Sequence, residues 1–170
     1  LATGKIIEEG YPRLDTLVNT NKEDIYDELR RSGVEVDPNK KIILYAPTWR
    51  GSSYGKPDLS VEGFEELKRK LDESIDTEKY QVLVKVHQVV YSLIKDQLAE
   101  YNYIVPATMD ANVILGITDI LISDYSSIYF DYLATGRPVL FYITDAESYT
   151  ENRGMYFGCL LYTSPSPRDA

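Results

Sequence analysis

Asp119-Ile120-Leu121-Ile122-Ser123-Asp124-Tyr125-Ser126-Ser127-Ile128-Tyr129-Phe130-Asp131-Tyr132 is the most informative stretch of this chain. Ile120 to Ile122 reads as a strand that runs into a hydroxyl-rich turn, and Ser126 or Ser127 opens a helix predicted to continue through Thr135. A helix amino terminus leaves N–H groups unpaired and carries partial positive charge, so such a turn suits a phosphate. Ser126 and Ser127 add hydroxyl donors without bulk. The plainer reading of either serine is a simple helix cap. Asp131 lies four residues past Ser127 and shares its face one turn into the helix, where a solvent-facing acid is the ordinary outcome. Asp124 is placed to cap or orient the turn.

Working outward, the same unit recurs. Lys41 to Ala46 is a continuous apolar run, the pattern of a strand covered on both faces. Gln81 to Val86 reads as a second strand, Tyr103-Ile104-Val105 as a third stopped by Pro106, and Val139 to Tyr142 as a fifth after the Gly136-Arg137-Pro138 turn. Helices are predicted between them: Val61 to about Ile75 behind Ser60, Val90 to Glu100, and Asp110 through Leu115. Ahead of the first strand, Asn21 caps a helix from Lys22 to Arg31. Strands alternating with helices predict an α/β fold, a Rossmann-like parallel sheet with helices on both faces. In such sheets ligands bind beyond the carboxyl ends of the strands. That rule selects Thr48 and Arg50 after the first strand, His87 after the second, Pro106 to Thr108 after the third, and Ser123 to Ser127 after the fourth.

Three residues have competing readings. His87, the only histidine, is placed to donate to phosphate or act as an acid, or to serve the structure alone. Lys85 is unusual in an apolar strand, because an unpaired buried lysine is costly; it either snorkels or meets an anion. Arg50 offers a planar fork for phosphate, or forms a surface ion pair. A P-loop is absent: Gly51 to Gly55 is one residue short and Lys56 is followed by Pro57. No His/Cys cluster or nucleophile elbow occurs, and nothing requires a metal or cofactor.

Bulk properties bound the rest. The chain has 170 residues, enough for one α/β domain, with 44% apolar residues and a net charge of −9 from 27 acids and 18 bases. Nucleic-acid binders usually carry a basic excess, so none is expected as a partner. Cys159 is the single cysteine, which excludes an intrachain disulfide. No apolar run approaches the ~20 residues of a membrane span, and no signal peptide is visible. The chain begins at Leu1 and is read as an excised fragment. Residues 1–158 are read as the folded domain. Residues 159–170 (Cys159 to Ala170) are read as a non-native or disordered tail, resembling translated adapter read-through more than a Ser/Pro-rich linker.

Taken in order, Gly10-Tyr11-Pro12-Arg13, Ala46-Pro47-Thr48-Trp49-Arg50, Lys85-Val86-His87, Asp119 to Ser127, Phe130-Asp131-Tyr132, Arg137 to Tyr142 and Arg153-Gly154-Met155-Tyr156-Phe157 resemble the CDP-glycerol glycerophosphotransferase family of teichoic acid synthesis. The resemblance covers about residues 4 to 158. It implies the C-terminal, donor-binding half of a GT-B fold. It also implies that the pyrophosphate of CDP-glycerol lies near His87, Arg50, Ser126 and Ser127, with Asp131 near the glycerol and the backbone of Pro106 to Thr108 facing the cytosine. Thr48 and Lys85 join this substrate-binding set, and His87 is the candidate catalytic group, assisting the leaving phosphate.

The implied reaction is attack by a polyprenol-linked acceptor's terminal glycerol hydroxyl on the β-phosphorus, with release of CMP. The family's acceptor site, membrane-facing surface and general base belong to the N-terminal half. The fragment is therefore expected to bind donor without turning over, and its parent to be cytoplasmic and peripheral at the inner face of the membrane. Gln88 departs from the proline that many relatives have after the histidine. Three rivals stand beside this reading: a CDP-ribitol transferase, a GT-B enzyme using a nucleotide sugar, and a non-enzymatic Rossmann-like binding domain. The sugar-transferring rival lacks the expected glutamate, since Ser126 to Asp131 contains none.

Overall fold

A computed structural model describes residues 10–48, 51–53, 56–57 and 62–143. In chain order the elements are α1 (Leu14–Val18), α2 (Lys22–Arg31), β1 (Lys41–Ala46), the short strands β2 (Gly51–Ser53) and β3 (Lys56–Pro57), α3 (Glu62–Ser74), β4 (Tyr80–Val84), α4 (Gln88–Leu98), α5 (Ala111–Ile117), β5 (Thr118–Ser123), α6 (Ile128–Tyr132), a 3-10 turn (Leu133–Thr135) and β6 (Val139–Phe141). The main sheet has the order β4-β1-β5-β6 with every pairing parallel. Beyond β4, Ile104 adds a parallel bridge to Val84. The spatial order of the five segments is thus 3-2-1-4-5 in chain sequence, the doubly wound order whose direction reverses beside β1.

Alternation along the strands divides the core between two faces. Ile42, Leu44 and Ala46 of β1, with Leu83 and Leu121, pack against Leu17, Leu29, Ile114, Leu115 and Tyr132 from α1, α2, α5 and α6. Ile43, Val82 and Ile122 turn to the other face and meet Leu71 and Ile75 at the end of α3. Val84 and Val86 bury against Val90, Ile94 and Leu98 of α4. Helices therefore cover both faces, as the strand patterns require.

The local signals for α2 are fully met. Asn21 Oδ1 accepts from Glu23 N at 3.1 Å, Glu23 and Asp24 fill the first turn, and Arg30 and Arg31 the last. Each choice complements the helix dipole. The third strand is a correction: Tyr103 to Val105 forms one bridge and no ladder. Val84 N donates to Tyr103 O and Val105 N to Val84 O, and Pro106, with no N–H, can donate nothing further. The second strand leaves its ladder at Val84, two residues earlier than expected, and the following helix starts at Gln88. The helix after β5 is also shorter than predicted, because it tightens into the 3-10 turn and stops at Gly136, whose φ of 64° is left-handed.

Candidate functional site at the carboxyl edge of the sheet

Four loops leave the carboxyl ends of neighbouring strand segments and enclose a cleft of about 470 Å³, lined among others by Lys85, His87, Thr108, Ser126, Ser127 and Asp131. The cleft lies where the strand order reverses, the expected ligand position for this topology. A larger depression of about 830 Å³ sits at the opposite, amino end of β1 and β4. Three of its polar side chains serve the structure. Arg30 pairs with Asp27 at 3.0 Å, Lys68 pairs with Asp72, and Gln81 bridges Glu35 O and Asp37 N. The smaller cleft is the better candidate because its polar groups converge.

The frame of the cleft is built around Asp124, which is 3% exposed. Its Oδ1 accepts from Thr48 N at 2.7 Å and from Ser126 N at 3.3 Å. One carboxylate thereby ties the loop after β1 to the turn after β5. Beneath it, Ser123 Oγ donates to Ala46 O at 2.8 Å, a second link between the same two strand ends. Thr48 stands on the same edge, held by this link, without lining the cleft. Arg50 and Trp49 lie outside the described residues.

The two serines separate in role. Ser126 Oγ accepts from Ile128 N at 3.4 Å and so takes the capping task. Ser127, the formal cap residue of α6, makes no side-chain cap bond and is exposed at the cleft. Because α6 has only five residues, its dipole is weak, and the hydroxyls carry more of the turn's polar character than the expected longer helix would allow.

His87 is both structural and placed at the cleft. It is the N-cap of the eleven-residue α4, and its Nδ1 accepts from Val89 N at 3.3 Å. An accepting Nδ1 is unprotonated, so the neutral ring carries its proton on Nε2. Burial pushes the imidazole below its ordinary value, which favours that same neutral form. Lys85 answers its two readings with a third. Its Nζ donates to the Met109 carbonyl at 2.9 Å, pinning the loop that follows the third strand segment. Burial lowers its pKa, while the nearby Asp110 carboxylate opposes that shift.

Asp131 corrects the expectation of a solvent-facing acid. It is 8% exposed and accepts from Arg13 Nη2 at 2.7 Å and Nε at 3.2 Å. Arg13 itself was not among the residues selected by the strand-end rule, because it precedes the first strand. Its partner lies 118 residues away, and no local pattern links the two. The neighbouring motif arginine, Arg137, is structural: its Nη1 donates to the carbonyls of Gly116 and Thr118. Among the described residues no group of three or more histidine, cysteine or acidic side chains is arranged to hold a metal. Among them too, no helix is long and apolar enough to cross a membrane.

The strand order, and a cleft at the reversal point framed by hydroxyl, imidazole and ammonium groups, define the class: a Rossmann-like α/β domain. The chain belongs to the CDP-glycerol:poly(glycerophosphate) glycerophosphotransferase family, whose model matches residues 1–168. It is 39% identical over 158 residues to a teichoic acid poly(glycerol phosphate) polymerase of Bacillus spizizenii, covering 89% of this chain and 38% of that one. It is 35% identical over 161 residues to the teichoic acid ribitol-phosphate polymerase TarL of Staphylococcus aureus, covering 89% and 27%. Among solved structures, the wall teichoic acid polymerase TagF superposes with a TM-score of 0.63 at 32% identity, covering 95% of this chain and 38% of that one. The chain thus spans less than two-fifths of the length of these relatives.

Proposed function

We propose that this chain supplies the donor site of an enzyme that transfers glycerol phosphate from CDP-glycerol to a polyprenol-linked or poly(glycerol phosphate) acceptor in teichoic acid synthesis. The carrying observation is the convergence of Lys85, His87, Ser126 and Ser127 on one cleft at the strand reversal, in a chain of this family. In this reading the acceptor's terminal hydroxyl oxygen attacks the β-phosphorus. The bond from that phosphorus to the bridging oxygen breaks, CMP leaves with the electron pair, and the hydroxyl proton passes to a base outside this cleft. Catalysis then rests on positioning and on donors aimed at the phosphoryl and leaving oxygens. Ser126 and Ser127 supply hydroxyls, and the Nε2–H of His87 donates to the leaving phosphate. Thr48 and Arg50, which follow β1 in the sequence, belong to the same substrate-binding set in this reading. The loop held by Lys85 faces the cytosine.

Residues 1–158 form the donor domain in this account, and the tail 159–170 lies outside the described residues. The acceptor site and membrane contact are assigned to the remainder of the parent enzyme, working peripherally at the inner face of the cell membrane. The acidic balance of −9 supports the absence of a nucleic-acid partner. A CDP-ribitol donor is the second reading, favoured by the comparable 35% identity to a ribitol-phosphate polymerase. Calorimetric titration with CDP-glycerol, CDP-ribitol, CMP and UDP-glucose separates the alternatives. Cytidine-selective binding with CDP-glycerol tightest is expected. Preference for CDP-ribitol would move the assignment to the second reading, and binding of UDP-glucose alone would move it to sugar transfer.

A further inference from the structure

Arg13 and Asp131 meet on the wall of the cleft from two distant elements. Both Arg13 contacts go to one carboxylate oxygen, Oδ1, and the guanidinium carbon lies 4.3 Å from the centroid of the Tyr11 ring. The fork and the ring fix the plane of the guanidinium. They use two of the five N–H donors that an arginine carries, so its remaining edge keeps three. The exposures are unequal: 49% of the Arg13 side chain is accessible against 11% for Asp131. The acid is the covered partner and the guanidinium the accessible one. An anion in this cleft would be repelled by a bare carboxylate, whereas a carboxylate already engaged by arginine presents the cation instead.

Packing also determines where Arg13 stands. It immediately precedes α1, which lies so close to α5 that a Cβ added to Gly116 would fall 2.6 Å from Thr20 Oγ1 and 3.0 Å from Leu17 O. Strand order gives the direction across the site. The wall at Ala107 to Ala111 follows the segment outside β4, while Ser127 and Asp131 follow β5, on the far side of β1. Those segments are about three strand spacings apart, roughly 14 Å, the scale of an extended nucleoside diphosphate.

We infer that Arg13 is a binding residue for the terminal phosphate of a nucleoside diphosphate donor, and that Asp131 is a positioning residue that holds the guanidinium and touches no ligand. This rests on the donor-site reading and narrows it, replacing the polyol contact expected of Asp131. The test titrates the 170-residue chain with CMP, CDP and CDP-glycerol, for the unmodified protein, Arg13→Ala, Arg13→Lys, Asp131→Asn and the Arg13→Ala/Asp131→Asn double variant. Arg13→Ala should weaken CDP and CDP-glycerol by about ten- to a hundredfold and CMP by less than about threefold, because a charge-assisted phosphate contact is lost only where that phosphate exists. Arg13→Lys should recover part of the loss. Asp131→Asn should weaken CDP by about three- to tenfold alone, yet in the Arg13→Ala background it should add no loss and recover part of the affinity, because it removes the carboxylate that Arg13 no longer covers, the non-additivity of residues acting as one unit. Equal losses for CMP and CDP, multiplying losses in the double variant, or an Asp131→Asn effect confined to CDP-glycerol would overturn the inference while leaving the donor site in place. Failure of the unmodified chain to bind any of the three would overturn the donor-site reading and this inference with it.

Discussion

Two turns at the carboxyl edge do the same topological task by different means. After β4 the chain passes through Lys85 and His87 into α4. After β5 it passes through Asp124, Ser126 and Ser127 into α6. In the first turn the His87 ring caps its own eleven-residue helix, and Lys85 reaches across to a single carbonyl of the loop after the third strand segment. The second is a junction, where Asp124 holds backbone from two loops and a five-residue helix follows without a side-chain cap at Ser127. The first turn therefore places mobile protons at the cleft, and the second fixes its shape. Residues at the two turns should fail differently when changed.

The largest effect is expected at the junction. Asp124→Ala leaves the Thr48 and Ser126 N–H groups without their shared anionic acceptor and should cost about 2–4 kcal/mol in denaturant unfolding, with nucleotide binding lost alongside. A stable Asp124→Ala protein with intact binding would break the comparison. Next is Gly116→Ala, where the new methyl meets Thr20 and the Leu17 carbonyl and should cost about 1–3 kcal/mol by overpacking. It also shifts Arg13, so CDP binding should fall more than CMP binding.

At the first turn, His87→Ala should cost only about 1 kcal/mol, the value of a helix cap. His87→Asn restores a good cap and should recover that stability without recovering phosphate affinity. Recovery of both would make His87 purely structural. The smallest effect is the pH response of His87. Its folded-state pKa lies below the unfolded value, so the unfolded chain holds the extra proton between the two. Stability from this group is full above about pH 6.5 and falls as pH drops through the folded-state value, a slope that His87→Asn should flatten in chemical denaturation. Phosphate beside the ring favours its charged form. Binding CDP near pH 6 should then take up protons, visible as a calorimetric enthalpy that varies with buffer.

What the sequence revealed follows the range of the forces involved. The Asn21 cap, the doubly apolar β1 and the βα alternation are local, and all appear in the structure. The edge rule placed His87, Ser126 and Ser127 on one cleft because topology alone puts strand ends together. The five-residue α1 was illegible, since it is held by docking on α5 at Gly116 rather than by its own propensity. Lys85 illustrates the same limit: a lone cation in an apolar run signals a partner, but Met109 O is 24 residues away and is a backbone atom that any residue would supply. The Arg13–Asp131 pair is the extreme case, visible in sequence only as two separate fragments of a resemblance.

The central claim is that the carboxyl-edge cleft, and not the larger amino-end depression, receives the donor. A crystal of this chain grown with CDP tests it most directly. The account predicts density for the diphosphate between the His87 turn and Ser126–Ser127. Density in the depression bordered by Arg30, Lys40 and Lys68, with the carboxyl-edge cleft bare, would contradict it.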